Sequence, residues 1–473
     1  MDRKTSFVGW WAYVAATASL FLTLPVHGKY DGGSGTAEDP YRIAAAGQLN
    51  DVGLYPEDWD KHFQLTADID MNDLAGIAVN LVGTFQGVFD GGGHTITNLT
   101  YVVTDADGYP EVDFTVNFGL FQSIQGPNSL VKDLGLVNPD LRPASTCSKR
   151  VERVGALAGF LFGGSVRNCF VEGGQVLGDK SVGGLVGESY GTISDSWSSA
   201  EVSGDASVGG LVGKCRRPAT ISRCHAQSWA SGKTNVGGLV GSCSKQCTID
   251  GCFATGSAAA GQRAGGLVGF HEGSVSKCYS TASVSADSDA GGLVGINGGT
   301  IIASWAGGEV TGGRAMGGLV GFNWREDSIL FYDPIVADSY AMGSVSGEDV
   351  VGGLIGRNQG GTVLRCYSAG PVTGLAPDCL VGGLVAANND VPMWDCFWDT
   401  ATSGLNDSDG GIGMTTPEMQ DMGTYLAAGW DFAGETTNGV DDVWKMCCEE
   451  STYPMLAWEE TPADDPAGSE GVD

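Results

Sequence analysis

Positive charge is scarce in this chain. Across 473 residues, 25 Lys and Arg face 56 Asp and Glu, a formal charge of −31. A surface of that sign repels nucleic acid and anionic lipid, so neither is an expected partner. Histidine is limited to His27, His62, His94, His225 and His271, and no Cys-x-x-Cys spacing occurs, which makes a zinc site a weak reading. Proline is modest at 16 residues and the 76 glycines keep no three-residue period, which excludes a collagen helix. Hydrophobic residues still reach 42%, more than a simply disordered chain carries. The glycine must therefore serve ordered structure, at turns and close backbone approaches.

One long apolar stretch is present, over residues 7–24, preceded by Arg3 and Lys4 and followed by Val26-His27-Gly28. This is the layout of a secretory signal peptide over residues 1–28, with a membrane anchor as the competing reading. No second run of comparable length follows, so no transmembrane segment is expected after cleavage. The expected location is extracellular or at the cell surface, where thirteen cysteines would ordinarily form disulfides.

An internal repeat organises the rest. Gly-Gly-Leu-Val-Gly begins at Gly183, Gly209, Gly237, Gly265, Gly291 and Gly317, with variants at Gly352 and Gly382 and a degenerate forerunner at Gly155. Most spacings are 26 or 28 residues, and a longer step contains an insertion over residues 324–334. A second element recurs as Thr192-Ile-Ser-Asp-Ser-Trp197, Thr220-Ile-Ser-Arg-Cys-His225 and Ser274-Val-Ser-Lys-Cys-Tyr279. The unit is too short for a propeller blade, lacks the spaced leucines of leucine-rich repeats, and is poor in helix formers. Period and composition fit one coil of a right-handed parallel β-helix, an all-β solenoid with short helical or irregular caps.

Alternation after the second element supports that reading. Cys278, Ser280, Ala282 and Val284 form a small set, expected inside. Tyr279, Thr281, Ser283 and Ser285 form the outward set. Leu and Val are adjacent in Gly-Gly-Leu-Val-Gly, which requires a bulge, a corner or burial on both faces. Coils stacked about 4.8 Å apart place Cys169, Cys224, Cys252, Cys278, Cys366 and Cys396 in one inward column, with Ser196, Ser304 and Ser339 in the gaps. Stacked neighbours have parallel Cα–Cβ vectors, which suit disulfides poorly, so these read as buried thiols. Cys243 with Cys247, and Cys447 with Cys448, are better placed for pairing.

The position after the column is aromatic in most coils: Phe170, Trp197, Phe253, Tyr279, Trp305, Tyr340 and Tyr367, with His225 as the exception. Stacked, these make a candidate ligand-binding ladder, or one that only stabilises adjacent coils or lies under loops. The residue before the column varies (Asn168, Asp195, Arg223, Gly251, Lys277) and reads as unconstrained surface. Asp68, Asp70 and Asp73, like Asp105 and Asp107, gather oxygens that suit Ca²⁺, though such clusters are more often solvated turns. No triad, phosphate loop or nucleophile elbow stands out.

The expected organisation is a signal peptide over 1–28, an N-terminal cap with irregular coils over 29–150, repeats over 151–400, a C-terminal capping segment over 401–458 and an acidic disordered tail over 459–473. Gln48 to Val52 suits a short helix lidding the first coil. Thr416 suits a helix N-cap with Pro417 following, and Trp430, Trp444 and Trp458 are expected to close the core's end.

The Gly-Gly-Leu-Val-Gly elements resemble the GLUG motif, found in bacterial surface adhesins and in a non-catalytic region of IgA-cleaving metalloendopeptidases. The resemblance covers roughly residues 80–400. It implies a bacterial, secreted or cell-surface adhesion protein without catalytic residues, recognising an extracellular glycan or a surface protein. The peptidase branch requires a zinc-binding His-Glu-x-x-His helix, and none of the five histidines forms it. A β-helix carbohydrate-active enzyme (lyase or hydrolase) and a passive spacer are the alternatives.

Overall fold

The computed structural model describes residues 29–105, 117–148, 150–325, 333–389, 391–446 and 452–459. The expected signal peptide, Asp107, the Cys447–Cys448 pair and the tail beyond residue 459 lie outside these.

One coil illustrates the architecture. Thr192–Ser194 and Trp197–Ser198 run along the first sheet, Glu201–Gly209 along the second and Val212–Cys215 along the third. The next coil lies parallel to it and in register, Ile193 on Ile221, Val202 on Ala230 and Val212 on Val240. Repeated, this builds parallel sheets of 24, 14 and 11 strands, the expected β-solenoid.

The stack extends beyond the repeats. Tyr41–Ile43 pairs with His62–Leu65, which pairs with Val88–Asp90 and then Leu130–Val137. Residues 29–150 therefore contribute regular rungs of the first sheet as well as a cap. A short helix, Ala46–Val52, buries Ala46, Leu49 and Val52 against the N-terminal end of the core. The last rung is Ile412–Met414, beside Phe397–Asp399. The core changes calibre along the axis. Phe63, Phe85, Phe89 and Phe121 pack ring to ring in the early coils. Leu, Val, Ile, Ala, Ser and Cys dominate the later ones.

Gly-Gly-Leu-Val-Gly makes a corner. The second-sheet strand ends at Gly209 and the third-sheet strand begins at Val212, so the turn between them lets adjacent Leu211 and Val212 both point inward, fully buried. The glycines answer a steric demand. A Cβ on Gly210 would sit 2.1 Å from the carbonyl oxygen of Gly238 on the next coil, and one on Gly209 would sit 2.1 Å from that of Val212.

A second constraint sits before the cysteine column. Asn168, Asp195, Arg223, Lys277, Ala303, Asp338 and Arg365 all have φ between 48° and 53°. This position, expected to be unconstrained, is a left-handed bend that recurs from coil to coil and, from Asp195 onward, divides the first-sheet strand in two. Its side chains vary because they point out of the coil, several to solvent and Ala303 and Asp338 into buried surroundings, and several pair between coils. Arg223 donates to Asp195 at 2.6 and 2.9 Å, and Arg365 to Asp338 at 2.5 and 2.7 Å.

Candidate functional site

The bend positions both columns that follow it. Inside, each column residue serves the coil before it. The backbone N–H groups of Cys169 and Cys278 donate to the Ser196 and Ser304 hydroxyls at 3.0 and 3.1 Å, and those of Cys224 and Cys252 donate to the Cys252 and Cys278 sulfurs at 3.4 Å. The thiols are buried and free, and burial pushes Cys169 up to about 12. Cys243 and Cys247, singled out for pairing, are likewise buried free thiols.

Outside, the aromatic residues stack as a continuous ladder. Successive ring centroids from Phe170 through Trp197, His225, Phe253, Tyr279, Trp305 and Tyr340 to Tyr367 are 4.6–5.8 Å apart, with planes within 8° of parallel. At the N-terminal end, a Cβ on Gly135 would meet the Phe170 ring at 2.3 Å, so that ring lies on bare backbone. The faces of the rings are therefore used up within the ladder, and the strip shows solvent its edges. Burial also pushes the His225 pKa down, which favours a neutral imidazole within the apolar strip.

The chain's own C-terminal segment covers one end of this strip. It contains the helices Thr416–Met419 and Met422–Ala427 and an antiparallel pair, Trp444–Lys445 with Met455–Leu456. The first helix is capped by Thr415, whose N–H and hydroxyl reach Glu418 at 2.8 and 2.7 Å. The cap thus sits one residue before the expected Thr416. Trp430 and Trp444 do not plug the end of the solenoid, as anticipated, but form a second core on its flank with Tyr340, Tyr367, Phe397 and Tyr425. The Tyr367 hydroxyl donates to the Pro454 carbonyl at 2.7 Å, Tyr340 reaches Glu459 at 3.0 Å, and the Trp458 indole N–H donates to the Ala303 carbonyl at 3.0 Å. Tyr340 and Tyr367 are consequently buried and withdrawn from the candidate surface. Phe170, Trp197, Phe253, Tyr279 and Trp305 remain half-buried.

Asp68 and Asp70, two of the aspartates proposed for calcium, are engaged in local structure, as is Asp105. Asp68 accepts from the Thr95 N–H at 2.9 Å and lies 3.2 Å from His94. Asp70 caps a 3-10 turn through the Asn72 N–H and accepts from Asn98. Asp105 accepts from Ser148. Among the described residues, Asp68, Asp70 and Asp73 do not converge into a group able to hold a metal ion.

One column went unread. Asn297, Asn323, Asn358 and Asn388 lie in register and pass amide hydrogen bonds from coil to coil at 2.9, 2.9 and 3.0 Å. Its signal was present, since each asparagine falls at the same distance after Gly-Gly-Leu-Val-Gly or its variant.

Comparison with known proteins agrees with the repeat. The profile of the GLUG motif matches residues 260–285. Halomucin of Haloquadratum walsbyi is 31% identical over 167 residues, which are 33% of this chain but 2% of halomucin. A protein of Evansella cellulosilytica, provisionally named a Gly-rich membrane protein, is 34% identical over 141 residues, 28% of this chain and 15% of that protein. The matched region is thus a small fraction of either relative. A solved structure provisionally named an immunoglobulin A1 protease, from Bacteroides ovatus, overlays 92% of this chain and 96% of its own at 18% identity, with a TM-score of 0.38. Among the described residues, no helix is long and apolar enough to cross a membrane.

Proposed function

We propose that this chain, which carries the GLUG motif, is a surface-associated, non-catalytic binding protein that holds a partner protein along the uncovered part of its aromatic strip. One observation carries this reading: the other end of the same strip already holds an aromatic-rich segment of the chain itself, through ring-edge contacts and hydrogen bonds to backbone carbonyls. The half-buried stretch from Phe170 to Phe253 offers the same chemistry without that cover. A polypeptide fits it better than a sugar, because a pyranose stacks on ring faces and these are occupied by one another. The signal-peptide layout, the acidic surface and a relative named as a membrane protein support surface association.

Random 20-residue peptides displayed on phage and panned against the whole chain test the reading. Enriched peptides are expected to carry Trp or Tyr and to lose about tenfold in affinity on Trp197→Ala, with melting temperature little changed. No enrichment, or a Trp197→Ala variant that binds as the parent does, contradicts it. Equal loss of binding and folding assigns the ladder to stability alone. Release of soluble oligosaccharide from an acidic polysaccharide would establish the enzymatic alternative.

A further inference from the structure

The third sheet presents a different face to solvent. On three successive coils its in-register residues are Phe160, Glu188 and Lys214. Glu188, 3% exposed, is gripped from both sides: Arg153 Nε donates to one carboxylate oxygen at 2.9 Å and Arg216 Nε to the other at 2.6 Å. Both guanidiniums are thus anchored through Nε. Arg153 spends one terminal nitrogen on a 3.5 Å contact with Asn117, whereas the two of Arg216 have no hydrogen bond among the described residues.

Lys214 is half-buried and makes no ion pair or hydrogen bond among the described residues. Burial first, then the neighbouring Arg216, holds its pKa below the usual lysine value. Three cations thus surround a single carboxylate, a local positive excess in a chain of charge −31. An aromatic wall adjoins them. The rings of Phe160, Phe162 and Tyr190 lie 5.5–5.7 Å apart, and the Arg153 guanidinium sits 4.6 Å over Phe160. Phe162 is 51% exposed. Among the described residues no partner accounts for a half-buried, unpaired lysine two coils from an exposed phenyl ring.

We propose that Phe162, Tyr190, Lys214 and Arg216 form a binding site for an acidic polysaccharide built of uronate pyranoses. The sugar ring packs on Phe162 and Tyr190. Its carboxylate takes the free fork of Arg216, whose planar geometry matches it, and the ammonium of Lys214. Glu188 and Arg153 are positioning residues: the carboxylate fixes the guanidinium of Arg216, and Arg153 shares its charge so that Arg216 keeps donors to spare. This site is separate from the aromatic strip and does not rest on its reading.

Titration calorimetry on the whole chain with hexagalacturonate and hexamannuronate, each against its methyl ester, tests the assignment. At least one uronate should bind and weaken as salt is raised. Its ester, with the same rings and no charge, should bind at least about tenfold more weakly. Phe162→Ala and Lys214→Met should each cost about tenfold in affinity at unchanged melting temperature, since one ring is exposed and the other side chain has no internal partner. Failure of both uronates to bind, equal binding of the esters, or parent-like binding by both variants overturns the proposal.

Discussion

His271 is fully buried between Cys243 and Asn297 in the inward column of the third sheet. Its Nε2 lies 3.3 Å from the Thr300 carbonyl, while Nδ1 makes no hydrogen bond among the described residues. Burial holds its pKa at about 4, below the 6.5 of an exposed histidine. Between those values the unfolded chain takes up a proton that the folded chain refuses. The contribution is therefore intact above pH 6.5, declines as pH falls and is lost near pH 4, a swing of about 3 kcal/mol. His271→Asn should remove this dependence by extending the asparagine ladder one coil. Urea unfolding at pH 6.5 and 4 checks it: the variant should lose less stability over that interval than the parent, and an equal loss contradicts the assignment. The same scale explains what was readable. The aromatic and cysteine columns were legible because equal spacing places like on like. The left-handed bend was not, because a backbone constraint borne by outward side chains leaves Asn, Asp, Arg, Lys and Ala all acceptable. Lys214 and Arg216 were also missed, since nothing local in the chain reveals that they converge with Arg153 on Glu188 from neighbouring coils.

At the scale of the element, the corner carries the repeat. Adjacent Leu and Val fit three geometries on paper, and contact between coils selects one. Gly238 shows the tolerance: a Cβ there would lie 2.1 Å from the Gly266 carbonyl oxygen and 3.0 Å from the Ala254 methyl. Backbone on one side and a buried methyl on the other cannot yield, so Gly238→Ala should cost about 3 kcal/mol or more. Gly163, with φ of +78° and open space around it, is the contrast. Its replacement by Ala should cost about 1 kcal/mol, from the left-handed conformation alone. Chemical denaturation of both variants measures the difference, and equal costs would mean that the corner is looser than its geometry implies. The C-terminal segment follows other rules. Its tryptophans signalled burial, but a solenoid offers both an end and a flank, and the sequence pattern does not distinguish them. The flank won because Tyr340, Tyr367 and Phe397 already presented an aromatic surface there.

Across the molecule, one register links coils from Tyr41 to Met414, so residues far apart in sequence become neighbours along an axis. Function follows from that order. The ladder is continuous because every coil repeats the bend, and its uncovered end is defined by where the C-terminal segment stops. The acidic-sugar site exists because three coils superpose Phe160, Glu188 and Lys214. Regular superposition is thus the claim on which both surfaces depend. Pulsed electron–electron resonance between spin-labelled unnatural amino acids tests it. Gln175 and Glu201 begin neighbouring strands of the second sheet, and Glu309 and Ser344 occupy the equivalent place four and five coils beyond Glu201. At about 4.8 Å per coil, labels at 201 and 309 should lie roughly 19 Å apart and labels at 175 and 344 roughly 29 Å, each with a narrow distribution. Broad distributions, or distances that do not grow in proportion to the number of coils between the labels, would contradict the account.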